Sequence, residues 1–184
     1  MKQEQQLYFI AIIPPEPIYS QVMDNKQMFA NEYGSKAALK SPPHITLHMP
    51  FKLKLEREDN LGKVLQEAAS GHEAFKVELR DYGQFNERTI FIDIVENAQL
   101  HELFKSIMRS MKINFNIFNA DYKNRGYNPH ITLAFRDLKR DQFKRAWPDF
   151  KDKTYHQHFK TTSFTLLKHN GKHWEVFREM RLGS

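Results

Sequence analysis

The sequence predicts an α+β fold: two pseudo-two-fold-related lobes, each a mainly antiparallel sheet with helices on the outside, around a central cleft. Two observations predict it. The chain runs strand, helix, strand, helix, strand twice, and the middle strand of each run opens with the letters HITL, at 44–47 and at 130–133. An internal repeat of this length indicates duplicated units packed on one another. We expect one bilobal domain over 1–184, with repeats at approximately 7–85 and 88–182.

Turn residues and apolar periodicity divide the first repeat into five elements. In chain order these are a strand at 7–13, a helix ended at Gly34, a strand from His44 to about Phe51, a helix capped by Asp59 and ended before Gly71, and a strand at 75–85. The last strand alternates apolar and charged residues, so one of its faces is expected to contact water.

The second repeat follows the same order and then adds a hairpin. Its elements are a strand at 89–95, a helix capped by Asn97 with a strong apolar stripe from Leu100 to Met111, a strand from His130, a short helix from Asp141 to Trp147 ended by Pro148, and a strand at 163–168. Asn170-Gly171 is typical of a two-residue hairpin turn, and 173–182 is the expected return strand.

Composition excludes several classes of protein. The 184 residues contain no cysteine, so disulfide scaffolds, thiol nucleophiles, Cys-type zinc sites and iron–sulfur clusters are excluded. The early apolar run at 7–13 is too short to cross a bilayer and follows a polar start, so we expect neither a membrane anchor nor a signal peptide, and a cytoplasmic location. The net charge of +6 favours polyanionic partners weakly.

The two HITL strands carry the strongest indication of chemistry. Successive strand residues point to opposite faces, so His44 and Thr46 share one face and the intervening aliphatic residues share the other. His130 and Thr132 do the same in the second copy. One His-x-Thr pattern is more often an ordinary solvated strand face. Two copies in matching places of a repeat favour a site in which both pairs face one cleft.

Two histidines and two threonines suit acid–base chemistry at a phosphodiester. Histidine has an ordinary pKa near ~6.5, so at neutral pH one can accept a proton while the other donates one. The threonine hydroxyls can donate to the non-bridging phosphate oxygens. Such a site needs neither a metal nor an organic cofactor.

These motifs resemble the paired H-x-T-x signatures of the 2H phosphoesterase superfamily, which includes bacterial 2′-5′ RNA ligase / RNA 2′,3′-cyclic phosphodiesterase proteins. The resemblance implies a bilobal fold and metal-independent hydrolysis of 2′,3′-cyclic phosphodiesters. It also implies catalytic roles for His44 and His130, with His44 as the acid and His130 as the base, and phosphate binding by Thr46 and Thr132. Around Arg136 and around 48–51, the residues that follow the two motifs differ from those common in the family. These differences bear on the identity of the substrate more than on the reaction chemistry.

Other residues near the motifs are weaker candidates. Lys40 and Arg125 lie in basic segments before the two motifs and could contact a phosphate backbone, although solvated loop charges explain them equally well. Phe51 and Tyr127 could stack a base, although packing explains such aromatics more often. His48 is expected on the same face as His44, where an ordinary surface histidine is favoured over a substrate contact at the rim of the cleft.

Three alternatives stay open or are set aside. A non-catalytic module that binds RNA or nucleotide ends would share the charge and the aromatics, but only an enzyme would show a bell-shaped pH–rate profile. The Lys168–Gly171 segment resembles a ligase motif superficially, and a hairpin turn explains it better. The histidines at 156, 158, 169 and 173 have no zinc-site spacing. The expected partner is an RNA end or nucleotide with a cyclic phosphate, with no membrane and no obligate protein partner.

Overall fold

The computed structural model describes residues 4–118 and 126–183, and this part of the chain contains eight strands and four helices. The strands are β1 (Gln5–Ile12), β2 (Ile45–Lys54), β3 (Phe75–Phe85), β4 (Thr89–Ile94), β5 (His130–Ala134), β6 (His156–Thr161), β7 (Ser163–His169) and β8 (Trp174–Arg181). The helices are α1 (Ile18–Tyr33), α2 (Glu58–Ser70), α3 (Ala98–Phe115) and α4 (Arg140–Lys151), with short 3₁₀ turns at Ala37–Lys40 and Leu55–Arg57.

All eight strands form one curled antiparallel sheet in the order β6-β3-β4-β5-β2-β1-β7-β8. The α+β class is confirmed, and the two lobes share this continuous sheet, with β5 and β2 adjacent at its centre. The third strand of each repeat crosses to the other lobe, because β3 pairs with β4 and β7 pairs with β1. A tight turn at Asn86 and Glu87, both with positive φ, makes β3 and β4 a hairpin.

The helices cover one face of the sheet and leave the other open. Their buried apolar residues join one large core with the strand residues that face them, such as Tyr8, Ile10 and Ile12 on β1. Phe9 and Ala11, which alternate with these, belong to a separate small cluster on the opposite face. The open face is therefore the one on which a cleft can form.

Glu58 at the start of α2 fixes this helix to the sheet. Its carboxylate accepts hydrogen bonds from the Tyr8 hydroxyl and, at 2.5 Å, from the Lys168 ammonium group. Burial alone would raise the pKa of Glu58, but these hydrogen bonds outweigh it and hold the pKa below its ordinary value. Burial also raises the pKa of Tyr8.

Two of three predicted helix-end residues cap their helices as expected, and the third does not. The Asn97 side chain accepts a hydrogen bond from the Leu100 backbone N–H at 2.9 Å, as expected of an N-cap. Gly34 ends α1 with a φ of 69°. Asp59 is not a cap, because α2 already begins at Glu58, directly after a 3₁₀ turn.

Three features of the second repeat differ from expectation. Strand β6 was not predicted because its sequence, HQHFKT, has one large apolar residue; it is an edge strand held by backbone pairing to β3. Helix α4 continues through Pro148, and Phe150 packs its last turn onto Phe29 with ring centroids 5.1 Å apart. The β7–β8 loop has four residues, in which the Asn170 side chain accepts two backbone hydrogen bonds.

In the described ranges 4–118 and 126–183, none of the helices is long and apolar enough to cross a membrane.

Candidate active site

The two HITL motifs meet where the two halves of the sheet join. Ile45 pairs with Ile131 across β2 and β5, and both side chains are fully buried in the core. The flanking His44, Thr46, His130 and Thr132 are half-buried, which places them on the open face. The antiparallel register, continued by one residue each way, sets His44 opposite Thr132 and Thr46 opposite His130. Each histidine therefore faces the threonine of the other motif.

The same backbone arrangement orients both imidazole rings. Nδ1 of His44 lies 2.8 Å from the Pro42 carbonyl oxygen, and Nδ1 of His130 lies 2.8 Å from the Asn128 carbonyl oxygen. A carbonyl oxygen can only accept, so Nδ1 carries the proton in each neutral ring. Nε2 is then the nitrogen that can accept or donate a proton towards a substrate.

Aromatic rings from neighbouring strands pack against both histidines. The Phe9 ring on β1 lies 4.9 Å from the His44 ring, centroid to centroid, and the Phe91 ring on β4 lies 4.9 Å from that of His130. Phe85 on β3 adds a second contact to His130 at 5.1 Å. Phe9 and Phe91 are almost fully buried. These contacts restrict the rings and remove water from one side of each.

Sequence reasoning did not predict these phenylalanines as part of the site. Phe9 and Phe91 stand in continuously apolar strands, LYFIAII and TIFIDIV, in which a core face and a cleft face cannot be told apart. The signal that could have found them is the strand register, because Phe91 lies directly opposite Thr132.

The surroundings of His44 favour its neutral form. The pKa of His44 is lowered to about 4, first by burial, then by the positive charge of Lys26 and by His130, whereas the hydrogen bond to Pro42 opposes the shift. Lys26 lies on α1 and is 1% exposed. It was missed in the sequence, although it occupies the apolar stripe of this helix, four residues after Val22 and three before Phe29.

The surroundings of His130 differ in charge. Burial lowers the pKa of His130, but the hydrogen bond to Asn128 and the negative charge of Asp93 both raise it. Asp93 lies directly opposite His130 across β4 and β5 and is exposed. The two histidines therefore have matching geometry and unlike electrostatics, with a cation near His44 and a carboxylate near His130.

Tyr127 supports the site and does not present its ring to the cleft. Its hydroxyl donates to the Thr46 carbonyl oxygen at 2.9 Å. Its ring stacks on Phe104 of α3, with centroids 3.9 Å apart and planes 6° apart. Tyr127 thus ties the segment before β5 to the backbone of the first motif, and base stacking by this ring is not supported.

Phe51 and His48 lie on the helix-covered side of the sheet. The pairs Ala11–Thr46 and Ile10–His48 show an extra residue in β2, a β-bulge that reverses the side-chain alternation. His48 is therefore 1% exposed, and the expectation of a surface residue on the His44 face was wrong. Phe51 packs in the core, 5.9 Å from the Tyr8 ring, and so does not line the cleft.

The basic residues near the two motifs differ in how the structure places them. Lys40 is exposed at the end of the 3₁₀ turn that precedes His44. Arg125 lies outside the described residues. Arg136 is exposed, has a φ of 58°, and lies over the Phe135 ring at 5.2 Å.

Metal ligation finds no support in residues 4–118 and 126–183, where no group of three or more His, Asp or Glu side chains is arranged to hold an ion. The His156 ring instead contacts Glu78 at 2.8 Å, and His169 packs against Trp174.

Comparison with known proteins identifies the family. The model of the 2′-5′ RNA ligase superfamily matches residues 14–173, which includes both motifs. The chain belongs to this superfamily. The resemblance to the 2H phosphoesterases is thereby confirmed.

The chain is also similar to named proteins in sequence, and to solved structures in fold, over nearly its full length. The chain is 25% identical to a protein named "Putative phosphoesterase" from Halalkalibacterium halodurans over 179 residues, covering 96% of this chain and 97% of that protein. A protein of the same description from Geobacillus kaustophilus is 26% identical over 183 residues, covering 96% of both. Solved structures with a similar fold include Escherichia coli LigT in its apo form, with a TM-score of 0.69, 20% identity and coverage of 98% and 99%. TT0787 of Thermus thermophilus has a TM-score of 0.72, 19% identity and coverage of 97% and 99%.

Proposed function

We propose that this 2H phosphoesterase hydrolyses 2′,3′-cyclic phosphodiester ends of RNA or nucleotides by acid–base catalysis between His44 and His130, without a metal. The observation that carries the proposal is the pairing of two identically oriented histidines across one open sheet face, each opposite the threonine of the other motif. A single phosphate between them would meet a proton acceptor on one side and a proton donor on the other.

The reaction follows from this arrangement. One Nε2 takes a proton from water, and the water oxygen bonds to phosphorus. The bond from phosphorus to the leaving ribose oxygen breaks, and the second Nε2 gives that oxygen a proton. The product is a phosphomonoester with a free neighbouring hydroxyl. Thr46 and Thr132 would donate hydrogen bonds to the non-bridging oxygens, which carry growing negative charge in the transition state.

The electrostatics favour His44 as the base and His130 as the acid, the reverse of the assignment that the family resemblance implies. A histidine whose pKa is lowered to about 4 is neutral at pH 7 and can accept a proton. Burial leaves the pKa of His130 below its ordinary value, but Asp93 raises it relative to burial alone and so favours the protonated form more than the surroundings of His44 do. An anionic substrate would favour protonation of both rings. The assignment therefore rests on the difference in charge around the two rings, and not on the pKa of either ring by itself.

The nature of the substrate is supported by charge and by relatives. LigT has been crystallised with 3′-AMP and with phosphate, and a related mononucleotide end would fit the proposed chemistry. Lys40, exposed just before His44, and Arg125 are proposed contacts for a longer phosphate backbone. Joining of 2′-5′ RNA ends is the opening of a cyclic phosphate by a ribose hydroxyl in place of water, and the same two histidines would catalyse it.

The test is hydrolysis of 2′,3′-cyclic nucleotides, in the presence of EDTA, by wild type, His44→Ala, His130→Ala and the double variant. We expect each single variant to lose about as much activity as the double variant, because the two groups act as one unit. His158→Ala, an exposed histidine on the edge strand β6, should retain wild-type activity. Turnover that survives loss of both histidines would refute the mechanism. Binding without turnover by wild type would favour the non-catalytic module.

A further inference from the structure

Lys26 is an unusual residue for the interior of this protein. Its side chain is 1% exposed, and within residues 4–118 and 126–183 no carboxylate lies within ion-pair distance of its ammonium group. The group donates to the Ser41 carbonyl oxygen at 3.1 Å. Burial lowers the pKa of Lys26 to about 7. A buried amino group with no carboxylate partner opposes folding, so its place in the structure calls for an explanation other than stability.

The location of Lys26 connects it to the first motif. Ser41 directly precedes Pro42, whose carbonyl oxygen accepts the Nδ1 proton of His44. A hydrogen bond to Ser41 therefore holds the segment that orients the histidine. The ammonium group is also close enough to His44 for its charge to act on that ring.

Within residues 4–118 and 126–183, the charged groups on the elements around Lys26 form no ion pair with it. The elements packed on α1 bring Lys40 from the 3₁₀ turn and Lys36 from the residue before it. They also bring His130 from β5, and Arg145 and Asp149 from α4. Asp149 hydrogen-bonds the Tyr33 hydroxyl at 3.5 Å, and Arg145 lies over the Tyr33 ring. Asp137, after β5, accepts hydrogen bonds from the backbone of Lys36 and Ala37.

We propose that Lys26 is a positioning residue of the site: its ammonium group anchors the Ser41 carbonyl and sets a positive charge behind His44, which keeps this histidine in the neutral, proton-accepting form. Among the described residues, no equivalent cation acts on His130, whose neighbour is Asp93. Lys26 therefore gives two histidines of like geometry unlike electrostatic surroundings. The catalytic meaning of this role rests on the proposed function, whereas the effect on His44 can be measured without any activity.

The experiment compares wild type with Lys26→Gln and Lys26→Met. Glutamine removes the charge and retains a donor for Ser41, and methionine removes both. Histidine titration by NMR should show the His44 midpoint rising by on the order of one pH unit in both variants, because the repelling charge is gone. His130 should move much less. Lys63→Met, which removes an exposed charge from α2, should leave both midpoints in place.

Two further readouts separate this role from a structural one. A one-unit rise would lower kcat/KM at pH 4.5, relative to that at pH 7.5, by about threefold, since the base would then be mostly protonated. Lys26→Met should also unfold at the same temperature as wild type or a higher one, because an apolar side chain replaces a buried amine.

The proposal is overturned if the His44 midpoint stays at its wild-type value in Lys26→Gln. It is also overturned if both histidines shift equally, which would indicate a general change of the cleft. Neither result depends on the substrate, so a shifted His44 midpoint in a protein inert toward cyclic nucleotides would support the role of Lys26 while refuting the proposed function.

Discussion

Acidification should destabilise this protein through His44, by an amount that can be worked from its surroundings. The folded protein holds the pKa of His44 at about 4, against an ordinary value of 6.5. Between these values the unfolded chain binds a proton that the folded protein does not, so stability falls as pH falls from about 6.5 and levels off below about 4. Between pH 7.5 and pH 4.5 the His44 contribution is about 2.5 kcal/mol, a large part of a typical folding free energy.

The assay is urea denaturation of wild type and His44→Gln at pH 7.5 and pH 4.5. Two other histidines, the buried His48 and the half-buried His130, also have lowered pKa values and destabilise both proteins on acidification. The difference between the two pH dependences therefore isolates His44, and His44→Gln should lose about 2.5 kcal/mol less than wild type. His158→Gln, on the exposed edge strand, should behave as wild type does. Equal losses in wild type and His44→Gln would refute the argument that His44 is held neutral.

Two further predictions concern packing around the site. Glu58→Gln should lower the free energy of unfolding by about 1–3 kcal/mol, since it leaves the Lys168 ammonium group without its charged partner; urea denaturation measures this, and Glu67→Gln, exposed on the same helix, should change it little. Gly83→Ala would place a Cβ 2.4 Å from the Phe91 ring, so it should destabilise by about 1–3 kcal/mol and shift the NMR signals of the adjacent His130. Gly71→Ala, where the nearest atom is 3.7 Å away, is the matched control; an unshifted His130 would show that Phe91 does not hold that ring.

The repeat and the central residues of the site could be predicted because they depend on local rules. Alternation along a strand is enough to place His44 with Thr46, and His130 with Thr132, away from the buried isoleucines. The apolar stripe and the Asn97 cap likewise locate α3. These features need only the identity and spacing of neighbouring residues.

The remaining features depend on contacts that are distant in sequence. Strand order is decided by which edges meet, so the crossing of β3 to β4 and of β7 to β1 was not evident from the repeat. Of the two register shifts between β1 and β2, the one between Ala11 and Ile10 reverses the alternation and sends His48 into the core. The burial of Lys26 was not predicted, because a lysine in an apolar stripe usually extends its ammonium group to solvent.

A local two-fold axis between Ile45 and Ile131 explains why the sequence predicts two matching histidines and why it does not predict their different surroundings. Such an axis maps one His-x-Thr motif onto the other, and it gives each ring the same tautomer through the same type of backbone contact. Two groups in identical surroundings would share one pKa, whereas acid–base catalysis needs one neutral and one protonated group. The difference must then come from residues outside the motifs. Lys26 and Asp93 bring opposite charges to the two rings. In the proposed mechanism, the direction of proton transfer would therefore be set by residues outside the repeated motifs.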